Sequence, residues 1–182
     1  MTTTSNQNDV SAALQALYEG KIDEARTLLR PDEELGAPEA AAFGRIDRVR
    51  ELLAADPANA NVRSSDGFTP LHLAIFGGSM DAVRLLVDAG ADVEAMSENA
   101  QVRVRPLGTA AFVGSVEAAG ILLDAGADVN GQGEGGFAAL HSAAQNGDEE
   151  LARFLLDRRA DRTLRTEDGK LARDLGLAEL VG

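Results

Sequence analysis

A block of about 33 residues recurs along this 182-residue chain, and that recurrence limits the folds it can adopt more than any other feature. The segment LLVDAGADV at residues 85–93 returns as LLDAGADVN at residues 122–130. Gly78, Gly114 and Gly147 follow one another at intervals of 36 and 33 residues. Such a period, with two short apolar stretches in each block, is typical of a solenoid whose units pack only on their neighbours. We therefore predict an all-α repeat solenoid.

One unit shows how the sequence encodes two helices. Thr69 is a good N-cap, and Pro70 suits the first helical position, where an N–H has no partner within the helix. Gly78 is expected to end the first helix with a positive φ, and Gly90 to end the second in the same way. Neither helix could bury its apolar face alone, so the units must stack.

The sequence TPLHLA at residues 69–74 resembles the T-P-L-H-x-A motif of the ankyrin repeat, and AGADV after the second helix resembles that family's exit from the unit. The resemblance implies stacked helix-turn-helix units joined by short β-hairpin loops, here called fingers. Arg outnumbers Lys 15 to 2, which favours a bacterial origin and a bacterial-type single array. We expect a disordered N-terminus at residues 1–8 and one ankyrin-repeat domain at 9–182. The predicted parts of the domain are a degenerate helix pair at 9–36, units at 37–65, 66–98, 99–134 and 135–167, and a cap at 168–182.

The segment SENAQVRVRPLG at residues 97–108 holds the finger of the third unit and the three residues by which this period exceeds 33. It is either a tolerated loop insertion, because loop length adds little closure entropy, or a partner contact made by Val102 and Arg103. Arg105 replaces the capping Thr, which should weaken the helix start by roughly 1 kcal/mol. The sequence offers no structural gain in return, and this keeps the partner-contact interpretation open.

In the family that the sequence resembles, partners lie against the finger tips and the first helices, on the concave face. Aromatic residues recur here two positions before the glycines that end the first helices. The alternative is that such rings pack on the neighbouring finger, which we favour for Phe68 and Phe137. The candidate partner-binding residues are Tyr18, Phe76, Phe112, Val113, Val102, Arg103 and Gln145.

Two histidines, His72 and His141, occupy the same position of the repeat, and Gly108 stands at that position between them. The resemblance implies that their imidazoles bond to the backbone between units. Metal ligands must converge, and the chain has no Cys, so we predict no metal site. No nucleophile stands beside a base, so we predict no catalytic residue and no enzyme. GQGEGG at residues 131–136 fits G-x-G-x-x-G but lies at a finger tip rather than after a buried strand, so no cofactor is expected.

The net charge of −13 argues against nucleic acid as a partner, because binding it needs clustered Lys or Arg. No apolar run approaches the roughly 18 residues that a membrane-spanning helix needs, so no membrane partner is expected. We expect a monomeric, cytoplasmic protein. The predicted function is a non-enzymatic protein–protein interaction module that binds a partner protein on its concave face. The alternative is a dedicated inhibitor or accessory subunit of one enzyme or toxin with a basic patch.

Overall fold

The computed structural model describes residues 11–181, and the predicted disorder of residues 1–8 lies outside that range. Twelve short α-helices, and no β-strand, are found within the described residues. The helices are α1 Ala12–Tyr18, α2 Ile22–Leu28, α3 Ala37–Ala42, α4 Ile46–Ala55, α5 Pro70–Phe76, α6 Met80–Asp88, α7 Pro106–Phe112, α8 Val116–Asp124, α9 Ala139–Asn146, α10 Glu149–Asp157, α11 Ala172–Leu175 and α12 Ala178–Val181.

The helices form two parallel rows. The first helices of successive pairs, α3, α5, α7, α9 and α11, pack in chain order, and so do the second helices α4, α6, α8, α10 and α12. The N-terminal pair α1–α2 joins this stack through a buried cluster that includes Ala42 and Leu73. Each pair therefore packs on its sequence neighbours, and the predicted all-α repeat solenoid is confirmed.

The interior of the stack is built largely from alanine, which lets the helix backbones approach closely. In α5 and α7, for example, Ala74 and Ala110 are fully buried. The closest approach occurs at Gly77, where an added Cβ would lie 1.9 Å from the carbonyl oxygen of Ala42. The contact between α3 and α5 therefore depends on a residue without a side chain at this position.

Helix ends follow the sequence expectations. Pro70 begins α5, with Thr69 as its N-cap, and Gly78 follows that helix with a φ of +71°. Gly90 and Gly126 end their helices with φ values of +84° and +95°. Arg159 occupies the same position after α10 and has a φ of +68°. A side chain in this left-handed region is strained by about 1–2 kcal/mol, so α10 ends like the others but less favourably.

The fingers are hairpin-shaped turns, each closed at its base by a backbone hydrogen bond between an N–H and a carbonyl oxygen. In three fingers this hydrogen bond joins residues that are four positions apart in sequence. In the finger of the third unit it joins the Ser97 N–H to the Val104 carbonyl, seven positions apart, at 2.9 Å. Each finger after the first also donates one backbone N–H to the finger before it, as Glu134 does to Arg103 at 2.8 Å. The three extra residues thus lengthen a finger without breaking the row.

A side chain from each unit also caps the backbone of the next. Asn61 and Asn130 use their amide oxygens for this, while Glu94 uses a carboxylate oxygen at the same position of its unit. Asn61 accepts from the Asp92 N–H at 2.7 Å and Glu94 from the Asp128 N–H at 2.9 Å. Asn130 accepts from the Asp161 N–H at 2.8 Å.

Candidate binding groove

Three aromatic rings form a continuous ladder along the first helices, and we call Tyr18, Phe76 and Phe112 the aromatic ladder. The ring centroids of Tyr18 and Phe76 are 5.3 Å apart in an edge-to-face contact, and those of Phe76 and Phe112 are 6.5 Å apart and nearly parallel. Such offset and edge contacts are the favourable arrangements for aromatic pairs. Ala42, at the matching position between Tyr18 and Phe76, is small enough for the two rings to meet. The ladder ends at Phe112, which is 67% exposed.

Tyr18 also ties the N-terminal helix pair to the first finger. Its hydroxyl donates to the Asp66 carboxylate at 2.7 Å, and that carboxylate accepts a second hydrogen bond from the Ser64 hydroxyl. Burial, together with the neighbouring Asp66 carboxylate, raises the pKa of the Tyr18 phenol well above its ordinary value. Tyr18 is therefore a neutral hydrogen-bond donor whose ring is fixed in place.

An open groove of about 740 Å³ lies between the aromatic ladder and the fingers. The long finger forms one wall, and there Val102 is 44% exposed. The groove is lined by Gln15, Tyr18, Ser65, Asp66, Phe68, His72, Leu73, Phe76, Glu98, Asn99, Ala100, Gln101, Val102, Thr109 and Phe112.

Four of the candidate residues from the sequence meet in this groove, namely the aromatic ladder and Val102. Arg103 borders an adjoining pocket, and its side chain is exposed. Val113 and Gln145 are exposed as well, but they are not among the described residues that line the groove.

The packing interpretation of the second aromatic line agrees with the structure. Phe68 is half-buried, with its ring centroid 5.9 Å from that of His72 and 6.2 Å from that of Tyr18. Phe137 makes the same contact with His141 at 5.8 Å. Phe68 therefore packs within its unit and against the N-terminal pair, and Phe137 packs within its unit, while Phe112 stacks on Phe76 with one face and leaves most of its surface exposed.

The long finger is held by its own polar side chains. The amide oxygen of Asn99 accepts from the backbone N–H groups of Gln101 and Val102, and its NH₂ group donates to the Asp66 carbonyl of the preceding finger. The Ser97 hydroxyl donates to the Val102 carbonyl and accepts from Val104 N–H. Val102 is thus presented to the groove by a braced turn.

The sequence interpretation of Arg105 was wrong in one respect. Arg105 makes no side-chain cap for α7, as expected, but the substitution does bring a structural gain. Its guanidinium pairs with Glu94, and its Nε donates to the Gln132 carbonyl of the next finger at 3.2 Å. Arg105 and Glu94 together link the third unit to both neighbours, so Arg105 needs no external partner to explain it.

Both histidines bridge units, as the resemblance implied. His72 Nε2 donates to the Val104 carbonyl at 2.9 Å, and His141 Nε2 donates to the Leu164 carbonyl at 3.1 Å. Burial lowers the pKa of His72 to about 4 and shifts the pKa of His141 in the same direction. Both imidazoles are therefore neutral near pH 7 and act as inter-unit hydrogen-bond donors.

Over residues 11–181, no group of three or more His, Cys, Asp or Glu side chains could hold a metal ion. Within the same range, every helix is too short or too polar to cross a bilayer.

Sequence reasoning missed the three unit-capping side chains and the pairing of Arg105 with Glu94. Asn61 and Asn130 recur at one position of the repeat, and this recurrence could have indicated the caps. Nothing comparable indicated the Asp66 contact of Tyr18, because it joins residues 48 positions apart.

Comparison with known proteins agrees with this architecture. A family model of ankyrin repeats in three copies matches residues 5–97 and 38–132, and a second model of ankyrin repeats in many copies matches residues 122–175. Together these matches extend over most of the chain.

Individual relatives match the chain over only a small part of their own length. Ankyrin repeat and SAM domain-containing protein 6 of Rattus norvegicus is 31% identical over 154 residues, which are 82% of this chain and 13% of that protein. Tyrosine-protein kinase HTK16 of Hydra vulgaris is 34% identical over 131 residues, 71% of this chain and 17% of that protein. Ankyrin repeat domain-containing protein 49 of Homo sapiens is 41% identical over 58 residues, which are 32% of this chain and 24% of that protein. These relatives are eukaryotic, so the expected bacterial origin stays a prediction.

Proposed function

Because this chain belongs to the ankyrin-repeat family, we propose that it is a non-enzymatic protein–protein interaction module that binds a partner protein on its concave face. Repeat solenoids of this kind use an extended concave surface for binding. The observation that carries the proposal is the aromatic ladder, which ends in a Phe112 ring that is 67% exposed beside an open groove.

An exposed aromatic side chain that lines a groove is the kind of residue that dominates binding energy at protein interfaces. The groove offers the apolar surface of Phe112 and Val102, with Asp66 and Glu98 beside it. Its walls are fixed, because Tyr18 is hydrogen-bonded and the long finger is braced by Asn99. A rigid surface binds without a large loss of conformational entropy.

The test is affinity capture with the full chain, followed by measurement of the captured partner's dissociation constant. We expect Phe112→Glu to weaken binding about 30-fold, the effect of losing a hot-spot residue worth about 2 kcal/mol. Leu28→Glu is the matched control, because Leu28 is also an exposed apolar residue, at 44%, and lies outside the groove. Equal loss, or no loss, with the two variants would contradict binding in the groove.

The acidic side chains beside the groove favour a second form of the same function, that of a dedicated inhibitor or accessory subunit of one enzyme or toxin with a basic patch. Such a complex would contain one tight, stoichiometric partner, and its association rate would fall steeply with salt. Several weak partners with little salt dependence would argue against this form.

The proposal also includes a monomeric chain that acts in the cytoplasm. Light scattering tests the first part, with 19.0 kDa as the expected mass, and cell fractionation tests the second.

A further inference from the structure

The third unit differs from its neighbours at two positions that contact each other. In the units on either side, a Phe ring packs on the buried imidazole four residues later, at 5.9 Å for Phe68 and His72. The third unit has Val104 and Gly108 at these positions. A Cβ added to Gly108 would lie 2.5 Å from a Val104 methyl carbon, so this methyl group rests directly on the glycine. Two rings are thus replaced by one small side chain.

A pocket of about 330 Å³ opens beside this replacement. Its surface is mostly apolar, and the neighbouring units contribute aromatic rings from both sides. It adjoins the groove and shares Phe112 and Val102 with it. The pocket is lined by Phe68, Phe76, Val102, Arg103, Val104, Gly108, Thr109, Phe112, Gly133, Glu134, Phe137 and Ser142.

The charged side chains around the pocket and groove are mainly acidic. Glu134 stands at the pocket, and Asp66 and Glu98 stand along the groove. Glu98 pairs with Arg63 at 3.3 Å, but no ion pair joins Asp66 or Glu134 to a base among the described residues. Among the described residues that line the pocket, Arg103 is the base, and Arg63 stands beside the groove through its pair with Glu98. The chain as a whole carries −13, so the surroundings attract a positively charged partner.

We propose that this pocket receives one aromatic side chain from a segment of the partner protein, and that a Lys or Arg close to that residue in the partner faces Glu134 and the groove carboxylates. The aromatic class follows from the lining, because the Phe76, Phe112 and Phe137 rings surround space that aromatic side chains fill in the adjoining units. This inference rests on the proposed function, and it names the chemistry of the partner.

The probe is a library of random twelve-residue peptides displayed on phage and selected on the immobilised full chain. Enriched peptides should share one aromatic residue with a Lys or Arg within about four positions. An enriched peptide is then synthesised, labelled and titrated with wild type by fluorescence anisotropy. The double variant Val104→Phe, Gly108→His restores the ring pair of the adjoining units and should weaken binding at least tenfold, with a thermal midpoint no lower than that of wild type.

Two further variants keep the test independent of that double change. Val102→Glu alters an exposed residue at the pocket mouth and should also weaken binding at least tenfold. Glu134→Gln retains an oxygen that can accept from Arg103 N–H, and it should weaken binding about threefold while reducing its salt dependence. Leu28→Glu serves again as the control and should bind as wild type does.

The outcomes separate this inference from the proposed function. Selected peptides without a shared aromatic and basic residue, or with unchanged affinity for the Val104→Phe, Gly108→His variant, would overturn the pocket assignment. Loss with Phe112→Glu in that case would still support binding in the groove. Unchanged affinity with Phe112→Glu as well would count against both. Dimerisation of wild type that the double variant abolishes would show that a second copy of the chain fills the pocket, and the proposal would be wrong.

Discussion

The buried imidazole of His72 makes the stability of this protein depend on pH in a predictable direction. The side chain is 1% exposed, and burial lowers its pKa from 6.5 to about 4. Between these two values the unfolded chain binds a proton on His72 and the native state does not. The free energy of unfolding therefore falls as the pH drops from 6.5 to 4. At about 1.4 kcal/mol per pKa unit, the loss amounts to about 3 kcal/mol.

Urea denaturation of wild type and His72→Gln, repeated from pH 7.5 to pH 4, isolates this contribution from that of the carboxylates. At pH 7.5 the variant should be less stable than wild type, because the imidazole and its hydrogen bond to the Val104 carbonyl are lost. The difference in stability between the two proteins should then shrink by about 3 kcal/mol toward pH 4. A difference that stays constant over this range would refute the reasoning.

Nuclear magnetic resonance gives a direct check, because the chain has only two histidines. The imidazole signals of His72 should show the neutral ring, with the proton on Nε2, throughout pH 6–8, and the pKa of His141 should lie below its ordinary value. A native-state His72 signal that titrates near pH 6.5 would show that its burial has no effect on its pKa.

Three substitutions test the backbone features. Arg159→Gly should raise the free energy of unfolding by about 1 kcal/mol in urea, because it relieves a φ of +68°, and an unchanged midpoint would show that no strain exists there. Gly120→Ala should stabilise α8 by about 1 kcal/mol, since the new Cβ meets the Phe154 ring at an ordinary 3.6 Å; a lower thermal midpoint would contradict this. Gly77→Ala should destabilise the protein by about 1–3 kcal/mol, because its Cβ would overlap the Ala42 carbonyl, and wild-type stability would refute that close approach.

The fold was predictable because each unit repeats the same local rules. The Thr69 cap, the Pro70 start and the Gly78 end are encoded within ten residues, and stacking follows from the short apolar stretches. The lengthened finger was also placed correctly, because the extra residues interrupt a known period. Features that repeat can be predicted from one chain, since the chain supplies several copies to compare.

The site was harder to predict, because its contacts depend on exceptions to the repeat. Tyr18 and Phe76 share a repeat position that the sequence reveals, but their rings, 58 residues apart in sequence, meet because the unit between them has the small Ala42 at that position. Arg105 stands far in sequence from the Gln132 carbonyl that it binds. A substitution at a repeat position shows from the sequence only that the usual contact is lost. The contact that replaces it is seen in the structure, where the adjoining units are in place.

The exceptions in and beside the third unit come as matched pairs. Glu94, at the end of the preceding unit, accompanies Arg105 where the adjoining repeats have Asn with Thr or Ala, and Val104 accompanies Gly108 where they have Phe with His. Restoring His at 108 alone would drive its Cβ into the Val104 methyl, and restoring Thr at 105 alone would leave the Glu94 carboxylate without its cation. Each of these two single exchanges is therefore expected to lower the free energy of unfolding. Exchanging both members of a pair together avoids that loss, so we expect the two residues of each pair to change together.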